Sequence, residues 1–193
     1  MARIGVLAIQ GDFAAHAAAL REAGAQVCEV RKAAELRQVD GLVIPGVEST
    51  TLLKFILNPD LGYLEAFQEF HQAGKPMLGT CAGLILVAKD VSRPPQFSLG
   101  FMDVGVERNS YGRQKESFET VGEGYLEGRA KPLKMVFIRA PRIIRMGPHV
   151  QWLATWQGEP VMARQGTILG VSFHPELTGD LTVQGYFLDM VKH

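Results

Sequence analysis

In the first ninety residues, short apolar runs alternate with helix-patterned segments, and this alternation restricts the fold more than any other feature of the chain. "IGVLAIQ" (4–10) is an apolar run closed by Gly11, the pattern of a strand buried on both faces. "DFAAHAAALREAG" (12–24) follows as a helix, with Asp12 at its start and Gly24 as its stop. "AQVCEV" (25–30) reads as a second strand, "AAELRQV" (33–39) as a short helix, and "GLVIPG" (41–46) as a third buried strand with its turn. "TTLLKFIL" and "LGYLEAFQEFHQAG" are helical, "PMLG" (76–79) is a fourth strand, and "GLILVAK" (83–89) starts the next helix. Repeated units of this kind build a parallel sheet.

From about residue 96 the rhythm changes. "VGVERN", "SFETV", "MVFIRAP", "HVQWLATW", "PVMARQG" and "TILGVSF" are short strand-like pieces between turn residues, and "DLTVQGYFLDMVKH" closes the chain as an amphipathic helix. The expectation is an α/β chain with a flavodoxin-like open sheet, mostly parallel, flanked by helices, with extra antiparallel strands at one edge. No repeat, low-complexity segment or linker divides it, so residues 1–193 read as a single domain.

Charge and cysteine usage narrow the partners. Formal net charge is zero, with no basic run, which argues against nucleic acid and against an anionic membrane surface. No apolar stretch is long enough to span a bilayer, and the N-terminal apolar run is too short for a signal peptide. Cys28 and Cys81 form no metal spacing with the five histidines, so no metal is expected and a cytoplasmic setting is the simplest reading.

One cysteine stands in a special place. Gly79-Thr80-Cys81-Ala82-Gly83 lies directly between a predicted strand and a predicted helix. That is the layout of a nucleophile elbow, whose sharp turn needs very small residues two before and two after the nucleophile. The turn lifts the sulfur above the carboxyl edge of the sheet and aims the Ala82 amide at an oxyanion site. The bland alternative is a buried cysteine used as a small hydrophobe.

The elbow needs a base, and "GVSFHPELTGD" supplies one. Pro175 pushes His174 toward extended geometry at the end of a strand, on the same edge as the elbow. In an extended segment, Glu176 projects to the same side as His174 and can orient its imidazole. Cys81, His174 and Glu176 then form nucleophile, base and orienter.

These residues resemble the class I (triad) glutamine amidotransferases, and within them the glutaminase subunits of pyridoxal 5'-phosphate synthase. The resemblance is carried by "GVLAIQGD", "GLVIPGVESTT", "GTCAGLILVAK", "VERNSYGRQ" with "SFE", "FIRAP" and "SFHPELTGD", in the family's order over nearly the whole chain. It implies hydrolysis of L-glutamine to L-glutamate and ammonia through a glutamyl thioester on Cys81. It also implies a partner, the synthase (lyase) subunit, in a hetero-oligomer that uses the ammonia for vitamin B6 biosynthesis. No cofactor is expected in this chain.

Substrate contacts follow from the same matches. Val47, Glu48 and Ser49 would border the glutamine, with Glu48 suited to its α-ammonium or, alternatively, to capping the helix that begins nearby. Arg108 suits a carboxylate, because guanidinium is a planar two-pronged donor. Ile138 and Arg139 correspond to the segment whose backbone meets the substrate, and Gln10 sits at the same sheet edge in a supporting place. Gly46, Val47 and Ala82 would form the oxyanion hole. The family usually has two glycines after the loop proline, where this chain has Pro45-Gly46-Val47, so a stiffer loop is expected.

Other residues carry blander expectations. His16 is expected at the surface of the Ala-rich first helix, and the resemblance implies that this face, with His16 and Arg21, docks on the partner. Cys28 is expected in the core, and Trp152 and Trp156 in packing. Two other functions compete: a cysteine peptidase or deglycase-like hydrolase, and a binding module without catalysis. The first commonly has histidine directly after the nucleophile, where this chain has Ala82; the second would have lost a triad residue.

Overall fold

The computed structural model describes residues 1–46, 48–108 and 117–193. The strands are β1 (Arg3–Leu7), β2 (Gln26–Val30), β3 (Gly41–Ile44), β4 (Met77–Thr80), β5 (Ala88–Ser92), β6 (Met102–Glu107), β7 (Ser117–Leu126), β8 (Arg129–Ile138), β9 (Arg142–Met146), β10 (Gln151–Trp156), β11 (Glu159–Gln165) and β12 (Ile168–Val171). The α-helices are α1 (Phe13–Glu22), α2 (Ser49–Ile56), α3 (Tyr63–Gln72), α4 (Ala82–Val87) and α5 (Thr182–Lys192), with 3-10 turns at Ala33–Gln38 and Pro175–Leu177.

Nine strands form one sheet in the order β2-β1-β3-β4-β12-β11-β10-β7-β8. The first five are parallel, and from β12 outward every pairing is antiparallel. The parallel half and the antiparallel extension at one edge are those the alternation predicts. The central strands are buried on both faces, so their residues divide by period two. Leu42 and Ile44 enter a core cluster with Leu52, Phe67 and Leu84, whereas Val43 enters the opposite cluster with Leu20 and Phe187. Helices α2, α3 and α4 thus cover one face and α1 and α5 the other. Each fully buried Leu, Ile or Phe contributes about 1.5–3 kcal/mol to this sandwich.

Two features depart from the sequence expectation. The helix after the elbow is short, and residues 88–92 turn into β5 rather than continuing it. The amides of Leu99 and Gly100 take the carbonyls of Leu86 and Ala88, which ends the helix and starts a second sheet, β5-β6-β9. Strand β9 has no counterpart among the predicted pieces. Its residues alternate weakly in burial, and its pairing with β6 is non-local.

Candidate functional site

The elbow is built by close approach. Cys81 follows β4 directly with φ 52° and ψ −107°, a left-handed conformation that side chains seldom adopt. A Cβ on Gly79 would lie 2.5 Å from the Gly83 carbonyl oxygen, and one on Gly83 would lie 2.2 Å from the Ile44 oxygen. Both glycines are therefore required by space, as the elbow pattern predicts. The amide of Cys81 donates to Val171 O at 2.9 Å, which ties the turn to the neighbouring strand β12.

That strand also delivers the histidine. β12 runs beside β4 in parallel register, Val171 against Thr80, and His174 lies three residues past its end. The His174 amide donates to Val136 O at 2.7 Å, so β8 fixes it from the other side. His174 and Glu176 are 6 % and 7 % exposed, and His174 Nδ1 lies 2.6 Å from Glu176 Oε1. The backbone reason differs from the expected one. Pro175–Leu177 is a 3-10 turn rather than extended chain, and it folds Glu176 back under the imidazole.

With Nδ1 committed to Glu176, Nε2 faces the elbow. A Cβ on Gly46 would stand 2.7 Å from His174 Cε1, 3.4 Å from Nε2 and 2.9 Å from Cys81 Cβ, so Gly46 is the wall on which the thiol and imidazole meet. In its thiol form Cys81 donates to Ile138 O at 3.8 Å. Burial pulls the His174 imidazolium down, but hydrogen bonds with Asp12, Cys81 and Glu176 outweigh it and hold the group far above its ordinary value. The site favours a protonated imidazole beside the sulfur.

A cavity of about 330 Å³ opens over these atoms. Cys81, Ala82, His174 and Gly46 line it, as do the expected substrate residues Glu48, Ser49, Arg108, Ile138 and Arg139. Arg139 has φ 43°, a left-handed backbone at the end of β8. Glu48 also realises its alternative part, capping α2 by accepting the Thr50 and Thr51 amides, each at 3.0 Å. The Thr50 hydroxyl and these amides push its carboxyl down to about 2, so it stays charged. Val47 lies outside the described residues. Gln10 is exposed in the bend after β1 and is not among the residues lining the cavity.

Sequence reasoning missed two residues. His16 is 2 % exposed, not on the surface: α1 buries the face carrying His16, Ala17, Ala19 and Leu20. Its Nε2 lies 3.3 Å from Glu176 Oε2, and Asp12 Oδ2 lies 3.6 Å from His174 Nδ1. The signal available was the i, i+4 spacing of Asp12 and His16 on one helix face. Arg21 is exposed and Cys28 is partly buried against the core. Trp156 packs on Phe118 and Phe137, as expected, whereas Trp152 is 46 % exposed beside Tyr125.

Asp12, His174 and Glu176 are the one grouping of potential metal ligands among the described residues. The 2.6 Å separation of His174 Nδ1 and Glu176 Oε1 is a hydrogen-bond length. Two ligands on one tetrahedral zinc stand about 3.3 Å apart, so the arrangement fits a bonded triad better than a metal cage.

The chain matches the SNO glutamine amidotransferase family over residues 6–193. It is 48% identical over 192 residues to the pyridoxal 5'-phosphate synthase subunit PdxT of Geobacillus sp. (strain WCH70), covering 100% of this chain and 98% of that one. It is 50% identical over 191 residues to the protein of the same name from Koribacter versatilis (strain Ellin345), covering 99% and 96%. A crystal structure of a glutamine amidotransferase superposes with TM-score 0.89 at 42% identity, covering 98% of this chain and 99% of that one.

Proposed function

The chain belongs to the SNO glutamine amidotransferase family, and from that premise we propose that it is the glutaminase subunit of a pyridoxal 5'-phosphate synthase. The observation that carries this reading is the meeting of Cys81, on its strained elbow, with the His174–Glu176 pair at one cavity.

In this reading the Cys81 thiolate attacks the carboxamide carbon of L-glutamine. The carbonyl oxygen becomes an oxyanion, met by the Ala82 amide on the side of the cavity that Gly46 also lines. His174 Nε2 gives its proton to the departing nitrogen, the C–N bond breaks, and ammonia leaves a glutamyl thioester. The now neutral imidazole takes a proton from water, whose oxygen attacks the thioester; glutamate departs and the thiolate–imidazolium pair returns. Glu176 holds the ring in the productive tautomer throughout.

Glutamine has a charged end that the cavity suits. Arg108 offers a forked donor to the α-carboxylate, and the Glu48 carboxylate, held ionised, suits the α-ammonium. The backbone at Ile138 and Arg139 borders the side-chain amide, with Ser49 at the start of α2.

The relatives are named as subunits of a synthase, so ammonia passes to a second, synthase subunit in a hetero-oligomer. One nine-stranded sheet takes strands from both ends of the chain, which supports reading 1–193 as one glutaminase domain. No helix among the described residues is long and apolar enough to cross a membrane. A catalytic thiol and two unpaired cysteines suit a reducing cytoplasm.

The test is glutamate release by the chain mixed with its synthase subunit. Wild-type protein should release glutamate and Cys81→Ala should not. A glutamine-analogue electrophile should add to Cys81, located by mass spectrometry. An adduct on Cys28, or full activity in Cys81→Ala, would overturn the assignment.

A further inference from the structure

The first helix brings two groups to the triad that the proposed reaction does not use. His16 Nε2 lies 3.2 Å from Thr80 Oγ1 and 3.3 Å from Glu176 Oε2. Asp12 Oδ2 stands 3.6 Å from His174 Nδ1, and Asp12 Oδ1 is 3.9 Å from His16 Nε2. One oxygen from each carboxylate and one ring nitrogen of His174 all lie within 4.8 Å of one another. Asp12 Oδ1 and Glu176 Oε2 are buried and have no hydrogen-bond partner among the described residues. Orphaned buried acceptors are costly, and two adjacent carboxylates resist ionising together. A single proton held between them answers both problems.

We propose that Asp12 and His16 are positioning residues of the thiol site: Asp12 holds one proton in common with Glu176 and backs it as acceptor for His174 Nδ1, and His16 closes the inner edge of Glu176. The purpose of this arrangement rests on the glutaminase reading, while its geometry stands without it. The groups facing the cluster are Asp12 and His16 from α1, Cys81 from the elbow, and His174 and Glu176 from the turn after β12. Counted together, the thiolate and imidazolium cancel, His16 is neutral, and the carboxylates bear one charge instead of two.

The directions of titration agree. Burial, with help from the Asp12 hydrogen bond, raises the Glu176 carboxyl to about 7 against the pull of His174. Burial also pushes Asp12 up, but hydrogen bonds with His174 and Glu176 prevail and hold it well below its ordinary range. Burial lowers His16 to about 4, so it meets Glu176 as a neutral ring.

The test separates positioning from folding. Asp12→Asn keeps the size and a donor but cannot share a carboxyl proton, so Glu176 gives up its own proton at lower pH. The pH profile of kcat/KM for glutamine, measured on the complex with the synthase subunit, should move toward acid by about half to one pH unit, with KM unchanged. His16→Gln keeps a nitrogen near the place of Nε2 and should hold kcat within about threefold, whereas His16→Met should lose on the order of tenfold in kcat at constant KM. A profile for Asp12→Asn that superimposes on the wild type would overturn the proposal, as would His16→Met matching His16→Gln. If His16→Met does not fold, Asp12→Asn decides alone. The same acid shift should appear in the pH dependence of Cys81 alkylation by iodoacetamide, which needs no turnover. A complex without glutaminase activity would therefore sink the function and leave the alkylation profile to judge this inference.

Discussion

Gly46 is packed against His174 so closely that a Cβ on it would lie 2.7 Å from the ring carbon Cε1. The same atom would stand 2.9 Å from Cys81 Cβ. A side chain here therefore enters the space between base and nucleophile. Gly46→Ala should lower kcat by on the order of 10²-fold, because a displacement of about 1 Å is enough to misalign the pair. The rim position makes the stability cost modest, about 1 kcal/mol. Steady-state kinetics on the complex, with a melting curve for each protein, checks both. An Ala variant as active as wild type would show that the imidazole tolerates the intrusion.

The elbow predicts a separation of activity from stability. A non-glycine residue at φ 52° and ψ −107° stores about 1–3 kcal/mol of backbone strain. Glycine relieves that strain but loses about 0.5–1 kcal/mol to the entropy of the unfolded chain. Cys81→Gly should thus be more stable than Cys81→Ala by about 1 kcal/mol, and both should lack glutaminase activity. Chemical denaturation of the two variants gives the comparison. An Ala variant equal to or more stable than the Gly variant would mean the turn is not strained.

These two positions also show what the sequence makes legible. Cys81 with its flanking glycines, and His174 with Glu176, are each written in a few consecutive residues, so the chemistry is readable before any fold exists. Asp12 and His16 are not, because which face of α1 turns inward depends on how the helix lies over the sheet and the 175–177 turn. An Ala-rich helix supplies little hydrophobic asymmetry to announce that face. The sequence argument from strand alternation does not reach the direction of Glu176, because a 3-10 turn over Pro175–Leu177 sets it. Strand β9 and the small sheet escaped because their pairings are non-local, and Trp152 because burial in an antiparallel extension depends on what covers its outer face.

Gly83 carries a different burden from Gly46. Its missing Cβ would lie 2.2 Å from a backbone oxygen, that of Ile44 in the neighbouring strand, and neither helix nor sheet yields easily. Gly83→Ala should cost about 3 kcal/mol, the upper range for overpacking. In a chain of this size that corresponds to a fall in melting temperature of roughly 6–12 °C. Activity per folded molecule should fall as well, since α4 must shift and carries Ala82 with it. Differential scanning calorimetry checks the first part; an unchanged midpoint would mean that β3 and α4 separate freely.

His16 gives stability a pH dependence whose sign is fixed by burial. Its ordinary value of 6.5 falls to about 4 in the folded chain, chiefly because burial disfavours the charged ring, with Asp12 opposing. Between those values the unfolded chain binds more protons than the native one, so the free energy of unfolding rises with pH. The contribution is complete above about 6.5 and is lost as pH falls toward about 4, amounting to at most about 3 kcal/mol. Glu176 works the other way: its value rises from 4.5 to about 7 through burial, which favours folding below 4.5 and is lost as pH climbs through about 7. The wild-type curve therefore mixes two opposed trends. The difference between wild type and His16→Gln isolates the histidine, because the amide does not titrate. Urea denaturation from pH 7 to pH 4 should show the wild type losing stability relative to the variant as acid is added. A difference that stays constant across that range would mean His16 is charged or solvated in the folded protein.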